Sequence, residues 1–441
     1  MPAWLSEFLP ILLLLAAVTI VMVRLPKIEL GHSAAFLTRR RWNWLPLGLT
    51  YAFLYMGRYN LKISKFAFEN MKNDQGGALM GNDAFAMIFF VGTIVYGVSF
   101  LVVLVNAGLF ATARALVRGD AGRRTLVEVL LVSAVLWSVL GYGYWRLDGL
   151  RALETEGNPL RVALIQGNID QERKWNRDFQ AETIGIYDDL SREAAREGAD
   201  LIVWPETAAP FYFQSDARMG PPVRKVARDL EAHLLFGAPA FQYGASGTQY
   251  LNRAYQVDPD GNNAGHYDKL NLVLFGEYNP IPFITKLVEG AGDFTPGKEV
   301  TTFHHPAGDY GVMICYEAIF SGLVRRFVAR GARFLVNITN DAWFGDTSAP
   351  YQHLSMVAFR AVENRVPVVR AANTGITAVI AIDGSVTAQT GLFERTWLTR
   401  TIRITDRTTF YARWGDIFVW LTTAFALLLL LWSFVLKYRS R

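Results

Sequence analysis

Several stretches of this chain are apolar over lengths that span a bilayer, and that restricts their backbone to one conformation. Hydrocarbon offers no water to a peptide group, so a crossing segment must satisfy its own hydrogen bonds as an α-helix. About 20 mainly apolar residues cross the ~30 Å of hydrocarbon. Leu9 to Val23, with Trp4, Leu5 and Phe8 ahead of it, is the first such stretch. Glu7 precedes it and the positive charges follow it, the reverse of a secretory signal's polarity. Trp42 to about Phe68 is the second, Ala84 to about Ala113 the third, Thr125 to Trp145 the fourth and Ile417 to Leu436 the fifth.

The basic residues set an orientation. Arg24, Lys27 and Arg39 to Arg41 follow the first span, Arg114, Arg118, Arg123 and Arg124 follow the third, and Lys437, Arg439 and Arg441 follow the fifth. Lys and Arg concentrate in cytoplasmic loops. Placing every cluster there puts the N-terminus outside, the C-terminus in the cytoplasm, and the long segment between the fourth and fifth spans outside. Composition agrees: 51% of residues are hydrophobic, the formal net charge is +5, and the mean hydropathy is +0.18. With the charges flanking apolar runs, this basic balance suits anionic lipid head groups and no nucleic acid. One cysteine excludes an internal disulfide, and the six histidines (His32, His233, His266, His304, His305, His353) form no metal motif. Residues 1–148 therefore read as an N-terminal membrane helical region and 417–436 as a C-terminal membrane helix.

The second span carries Arg58, Lys62 and Lys65 at i, i+4 and i+7, which share one helical face. Two readings stand: a cradle for a phospholipid phosphate, since charges inside spans usually face protein or a cavity, or side chains snorkelling to the head groups.

Residues 159–405 change character. Apolar runs of strand length alternate with charged helical stretches, and none reaches spanning length. Strands are expected at Val162–Gln166, Leu201–Trp204, Leu234–Gly237, Val312–Cys315, Phe334–Ile338, Val366–Ala371 and Thr377–Ile382. Helices are expected at Asp178–Glu197, Val223–Ala232, Ala318–Arg330 and Tyr351–Asn364. This is the pattern of a mixed α/β domain with its own core.

Three of its apolar runs end in chemistry. Leu201-Ile202-Val203-Trp204-Pro205 stops at Glu206, Lys269 lies eight residues before Glu277, and Gly311-Val312-Met313-Ile314 stops at the lone Cys315. A thiol attacks as its thiolate, of which an unperturbed cysteine holds only a few per cent at neutral pH. A buried glutamate takes the proton, and a lysine ammonium stabilises the thiolate and then an oxyanion. Each residue also has an ordinary reading: Cys315 as a small core hydrophobe, Glu206 as a helix cap, Lys269 as a solvated turn residue.

These stretches resemble the carbon–nitrogen hydrolase (nitrilase) superfamily, and more closely its membrane branch, the apolipoprotein N-acyltransferase family. The resemblance rests on Trp204-Pro205-Glu206, Phe275-Gly276-Glu277-Tyr278, Ile314-Cys315-Tyr316-Glu317 and Asn340-Asp341-Ala342-Trp343-Phe344-Gly345. Gln352-His353, the run from Arg370 to Ala378, and Tyr411-Ala412-Arg413-Trp414-Gly415-Asp416 before the last span extend it over about residues 160 to 437. It implies an αββα sandwich inserted between membrane helices, about four before and one after. It implies that Cys315, with Glu206 as base and Lys269 as oxyanion holder, takes an acyl chain from a membrane phospholipid as a thioester. The chain then passes to the α-amine of a diacylglyceryl cysteine on an apolipoprotein, with no metal or cofactor.

In that family Glu277 supports the lysine, Tyr316 and Glu317 flank the nucleophile, and Trp343 lies on a loop near the lipid. Tyr351 stands where the family often has Trp and is read with Trp343 as substrate-binding; the Arg58/Lys62/Lys65 face is the further lipid candidate. The implied location is the bacterial inner membrane with the catalytic domain on the periplasmic side. The chain departs from the family in its smaller number of spans, and at Leu270, Asn271 and Leu274. Two other functions fit the residues: a membrane-tethered amidase or nitrilase acting on a small amide, and a non-catalytic transporter-like protein. The latter draws on Gly57-Arg58-Tyr59-Asn60 and Gly122-Arg123-Arg124-Thr125, which look like the opening helices of major facilitator transporters.

Overall fold

The computed structural model of the protein describes residues 95–119, 122–244, 247–273, 276–278, 294–406 and, with gaps, 408–432. The first two expected spans, with Arg58, Lys62 and Lys65, lie outside the described residues.

Two long apolar helices come first, Val95–Arg118 and Arg123–Glu156. Each contains a stretch long and apolar enough to cross a membrane, Phe100–Arg118 and Arg123–Leu147. Their large side chains, among them Leu109, Leu131 and Trp137, are exposed. Gly108 lets them approach closely, because a Cβ there would meet Val132 at 3.0 Å. The sequence expectation begins the third span at Ala84 and ends it near Ala113, whereas the helix continues to Arg118 and takes Arg114 into its length. The fourth is expected to stop at Trp145. The helix instead runs unbroken to Glu156, and Leu147 and Leu150 are buried, because its last turns meet the globular domain near the segment Thr396–Ile404. The described residues of 417–432 are helical, with Trp420, Leu421, Phe425, Leu428, Leu431 and Trp432 exposed.

Between these helices lie two six-stranded sheets. The first is built from β1 (Asn158–Gln166), β2 (Leu201–Val203), β3 (His233–Gly244), β4 (Gly247–Val257), β5 (Asn263–Asp268) and, returning last, β12 (Thr396–Ile404), in the order β12-β1-β2-β3-β4-β5. The second holds β6 (Thr302–Phe303), β7 (Tyr310–Ile314), β8 (Phe334–Thr339), β9 (Val368–Ala372), β10 (Ala378–Ile380) and β11 (Val386–Gln389), in the order β11-β10-β9-β8-β7-β6.

Strand periodicity of two decides which layer each side chain enters. Along β1, Leu160, Val162 and Leu164 face the second sheet and join Tyr310, Val312, Val336 and Val369 in one core. Ala163 and Ile165 point the other way, into a second core with Ile184 and Tyr187 of helix Gln180–Ala195 and Val223 and Val226 of helix Gly220–Asp229. Trp204 fills that outer core, stacked on Tyr187 at 5.1 Å, its indole N–H donating to Ser191 Oγ at 2.8 Å. On the far side, helices Ser321–Ala329 and Ala349–Asn364 cover the second sheet through Val324, Phe327, Leu354 and Val357. The layers are helix, sheet, sheet, helix.

Direction places the site. β1, β2 and β3 run parallel. β4 and β5 then reverse twice, so β5 runs with β2. The segments after β2 and β5 therefore leave the same edge of the first sheet. In the second sheet β7, β8 and β9 are parallel, so the turns after β7 and β8 also share an edge. Strand candidates in long apolar runs recur as strands. β4, β5, β6, β11 and β12 were not expected, because their burial alternates or they carry polar residues that dilute the apolar signal.

Candidate active site

Cys315 opens a tight turn of 3₁₀ helix, Cys315–Ile319, directly after β7. Its φ is +53°, a left-handed conformation that strains a residue with a Cβ by about 1–3 kcal/mol. The residue is half-buried at the edge of the inter-sheet core.

Contacts on both sides of the turn hold this conformation. The Glu317 carboxylate accepts from Ile314 N at 2.9 Å, which caps the turn. The Cys315 carbonyl accepts from His353 Nε2 at 3.2 Å and from Asn337 Nδ2 at 3.3 Å. Burial and the Arg370 charge lower the pKa of His353 against the pull of Asp341, so the ring is neutral. Its donation to the carbonyl assigns the proton to Nε2. Behind it, fully buried Arg370 donates to Asp341 Oδ2 and to Asn337 Oδ1. Asp341 also accepts from Thr339 Oγ1 at 2.9 Å. Although burial opposes its charge, Arg370 and the Thr339 hydrogen bond hold the Asp341 carboxyl well below the usual range.

Glu206 sits in a turn just past β2, 7% exposed. No helix begins there, so the helix-cap reading is set aside. Its main chain packs onto β3 at Gly237, where a Cβ would lie 2.5 Å from Thr207 N and 2.7 Å from Glu206 Cα. Lys269 follows β5 and is 1% exposed. The solvated-turn reading fails because its ammonium reaches inward to Glu277 at 2.8 Å and Glu206 Oε1 at 3.5 Å. Burial works against that ammonium, but the charges of Glu206 and Glu277 outweigh it and hold Lys269 above its ordinary pKa.

Asn252, on β4, ties the two carboxylates together: its Nδ2 donates to Glu206 Oε1 at 2.8 Å and to Glu277 Oε1 at 2.9 Å. Glu206 Oε1 thus carries both neighbouring donors. Glu277 is further held by Val273 N at 2.8 Å.

Glu317 joins the two sheets' contributions. Besides Ile314 N, it accepts from Leu270 N at 2.7 Å, Asn271 N at 3.1 Å and Tyr267 Oη at 2.8 Å. The cysteine turn and the lysine segment are therefore bolted to one carboxylate. Burial pushes it up to about 7 against these donors and the Lys269 charge. Tyr316 points outward, half-exposed, edge-on to Phe320 at 5.5 Å. The Cys315 thiol is pushed up to about 12 by burial and the Glu206 charge, opposed by Lys269 and a Thr339 hydrogen bond.

The structure thus gathers Glu206, Lys269, Cys315, Glu277 and Glu317 at one place. Trp343 is in the short turn Ala342–Phe344 that follows β8, and Tyr351 is exposed on the first turn of helix Ala349–Asn364. Arg58, Lys62 and Lys65 are outside the described residues. Sequence reasoning missed Asn252, Asn337 and Lys174 entirely and quoted Asp341, His353 and Arg370 without a role. A signal existed for two of them: Asn337 and Arg370 interrupt apolar strands, and a polar side chain on a buried strand needs a partner.

A carboxylate and an ammonium from one sheet, facing a cysteine on a strained turn from the other, within an αββα sandwich, define a class of thiol-bearing two-sheet α/β proteins. The carbon–nitrogen hydrolase profile matches residues 161–411, and the chain belongs to that family. It is 46% identical over 337 residues to a protein of Geobacter metallireducens named apolipoprotein N-acyltransferase, covering 75% of this chain and 64% of the relative. A protein of the same name from Methylococcus capsulatus is 36% identical over 330 residues, 73% of this chain and 62% of the relative. The matched stretch is thus under two thirds of these relatives' lengths. Among solved structures, an amidase from Nesterenkonia sp. aligns with 60% of this chain and 96% of its own, with a TM-score of 0.46 and 21% identity.

Proposed function

We propose that this protein is a membrane N-acyltransferase that moves a fatty acyl chain from a phospholipid to the N-terminal amine of a diacylated apolipoprotein. The observation that carries the chemistry is the Lys269 ammonium, buried between Glu206 and Glu277. The relatives named apolipoprotein N-acyltransferase and the lipid-facing helices beside the domain support the substrates.

The steps follow from the site. Glu206 is the general base: Oε1 is occupied by Asn252 and Lys269, which leaves Oε2 to take the thiol proton. With the thiol pushed up to about 12, the thiolate forms as attack proceeds instead of accumulating at rest. Sulfur bonds to the ester carbonyl carbon, and the oxyanion that develops is held by the Lys269 ammonium. Collapse breaks the C–O bond; Glu206 returns the proton to the departing lysophospholipid oxygen, and a thioester remains on Cys315. The acceptor amine then attacks the thioester. Glu206 takes its proton and passes it to the sulfur as the C–S bond breaks. Glu277 and Glu317 position the lysine and the nucleophile turn.

Trp343 and Tyr351 are assigned to acyl-chain contact, and the Arg58, Lys62 and Lys65 face to the donor phosphate. The domain, residues 159–405, lies on the periplasmic side of the inner membrane, between an N-terminal helical region (1–148) and a C-terminal helix (417–436).

The test uses the full-length protein in detergent or liposomes with phospholipid labelled in its acyl chains. A labelled, hydroxylamine-sensitive adduct on Cys315 is expected, discharged by a diacylglyceryl-cysteine peptide. Cys315→Ala abolishes the adduct, and Cys315→Ser slows turnover by about a hundredfold or more. No adduct on the wild type, together with ammonia release from small amides, overturns the reading in favour of a tethered amidase.

A further inference from the structure

Lys174 lies beside the site and takes no part in the proposed steps. It ends a short helical turn, Gln171–Lys174, and its side chain is fully buried. Its ammonium donates to the main-chain carbonyl of Glu206 at 3.1 Å. A main-chain carbonyl is neutral, and a charge removed from water needs strong compensation. The remaining compensation is electrostatic, from the Glu206 carboxylate. A surface ion pair would serve the fold better, so the position of this charge calls for another account.

The turn it grips is itself constrained. Thr207, the next residue, has φ +53°, and Gly237 presses the turn from β3. The carbonyl that Lys174 holds belongs to the same residue as the carboxylate that faces Lys269. We propose that Lys174 is a positioning residue for Glu206: its ammonium pins the main chain of the turn, and its charge favours the ionised carboxylate that accepts the thiol proton. This rests on Glu206 being the general base.

The other titratable groups facing Glu206 are Lys269 from the segment after β5, Cys315 from the turn after β7, and Glu277, which shares Asn252 with it. Lys269 must spend its charge on the oxyanion during reaction. A second cation behind the carboxylate keeps Glu206 ionised before attack without competing for the substrate. Burial brings Lys174 down to about 8, so it carries its charge at any pH below that.

The experiment measures acylation of Cys315 against pH in the full-length protein, with labelled phospholipid and, separately, with p-nitrophenyl butyrate, whose burst reports thiol acylation by any donor. Lys174→Gln keeps a donor for the carbonyl and removes the charge. Its acid limb is expected to move up by about one pH unit, which is about a tenfold loss of rate below the limb, with the plateau rate within a few-fold of wild type. Lys174→Arg keeps the charge and is expected to keep the limb. An unmoved limb in Lys174→Gln overturns the proposal, whatever happens to the plateau. If Lys174→Gln does not fold, Lys174→Arg decides: a limb at the wild-type position supports the assignment, and one displaced upward overturns it. A burst that behaves as expected, with no adduct from phospholipid, leaves Lys174 in this role and removes the lipid donor instead.

Discussion

At the scale of single residues, buried charge is concentrated where it is answered. Lys269 stands between Glu206 and Glu277, and Arg370 is answered by Asp341. Removing one partner of such a pair costs about 3–5 kcal/mol, because the other charge stays buried and unpaired. Glu363 is the less complete case. It meets Arg360 Nη2 at 2.9 Å, but its Oε2 is buried without a hydrogen bond. Burial pushes this carboxyl from 4.5 up to about 7, against Arg360 and with Asp416 adding to it. Between those values the folded protein holds a proton that the unfolded chain has released. Stability from this group is therefore present below 4.5 and declines as pH rises toward 7. Glu363→Gln removes that dependence. Melting temperatures compared across pH 4 to 8 should show the variant gaining on wild type as pH rises through the window, and parallel curves would count against it.

At the scale of elements, the site depends on how turns are clamped to strands. β7 delivers Cys315, but the strained turn persists because Glu317, Asn337 and His353 each hold one of its main-chain groups. β2 delivers Glu206, and β3 sets its height through Gly237. Gly237→Ala inserts a methyl group 2.5 Å from Thr207 N, so the turn must move outward. Overpacking of this kind destabilises by about 1–3 kcal/mol. A displacement near 1 Å at a catalytic carboxylate lowers the rate by about a hundredfold. The expected result is a modest fall in melting temperature with a much larger fall in the rate of Cys315 acylation. Equal, small effects on both would show that β3 does not set the position of Glu206.

At the scale of the whole molecule, the family domain follows two helices many of whose large apolar side chains are exposed among the described residues. The helix Arg123–Glu156 runs from a membrane-length apolar stretch straight to the start of β1, with Leu147 and Leu150 buried at its end. On the proposed function, such a connection would hold the domain close to the lipid that supplies the acyl chain. Because Cys315 is the one cysteine, orientation can be read with a single introduced thiol. Tyr243 is 83% exposed near the β3–β4 turn. Tyr243→Cys in a Cys315→Ala background should react with a membrane-impermeant maleimide in cells whose outer membrane alone is opened. Labelling only after the inner membrane is broken would place the domain in the cytoplasm.

What the sequence determined by itself is what local pattern determines. Apolar length marked Ala84 to about Ala113 and Thr125 to Trp145 as membrane-crossing candidates, which overlap the helices Val95–Arg118 and Arg123–Glu156, and apolar runs of strand length named β1, β2, β7 and β8. The residues where such runs stop, Glu206 and Cys315, were visible as chemistry at strand ends. Only the tertiary structure decided the rest, since it depends on partners far apart in the chain. Asn252 bridges two carboxylates because β4 lies between their segments. Arg370, Asp341 and His353 form a support for the Cys315 carbonyl because β8, β9 and a helix converge behind it. Lys174, on which the sequence pattern is silent, is fully buried against Glu206. Periodicity specifies which face a residue takes; only packing specifies what that face meets.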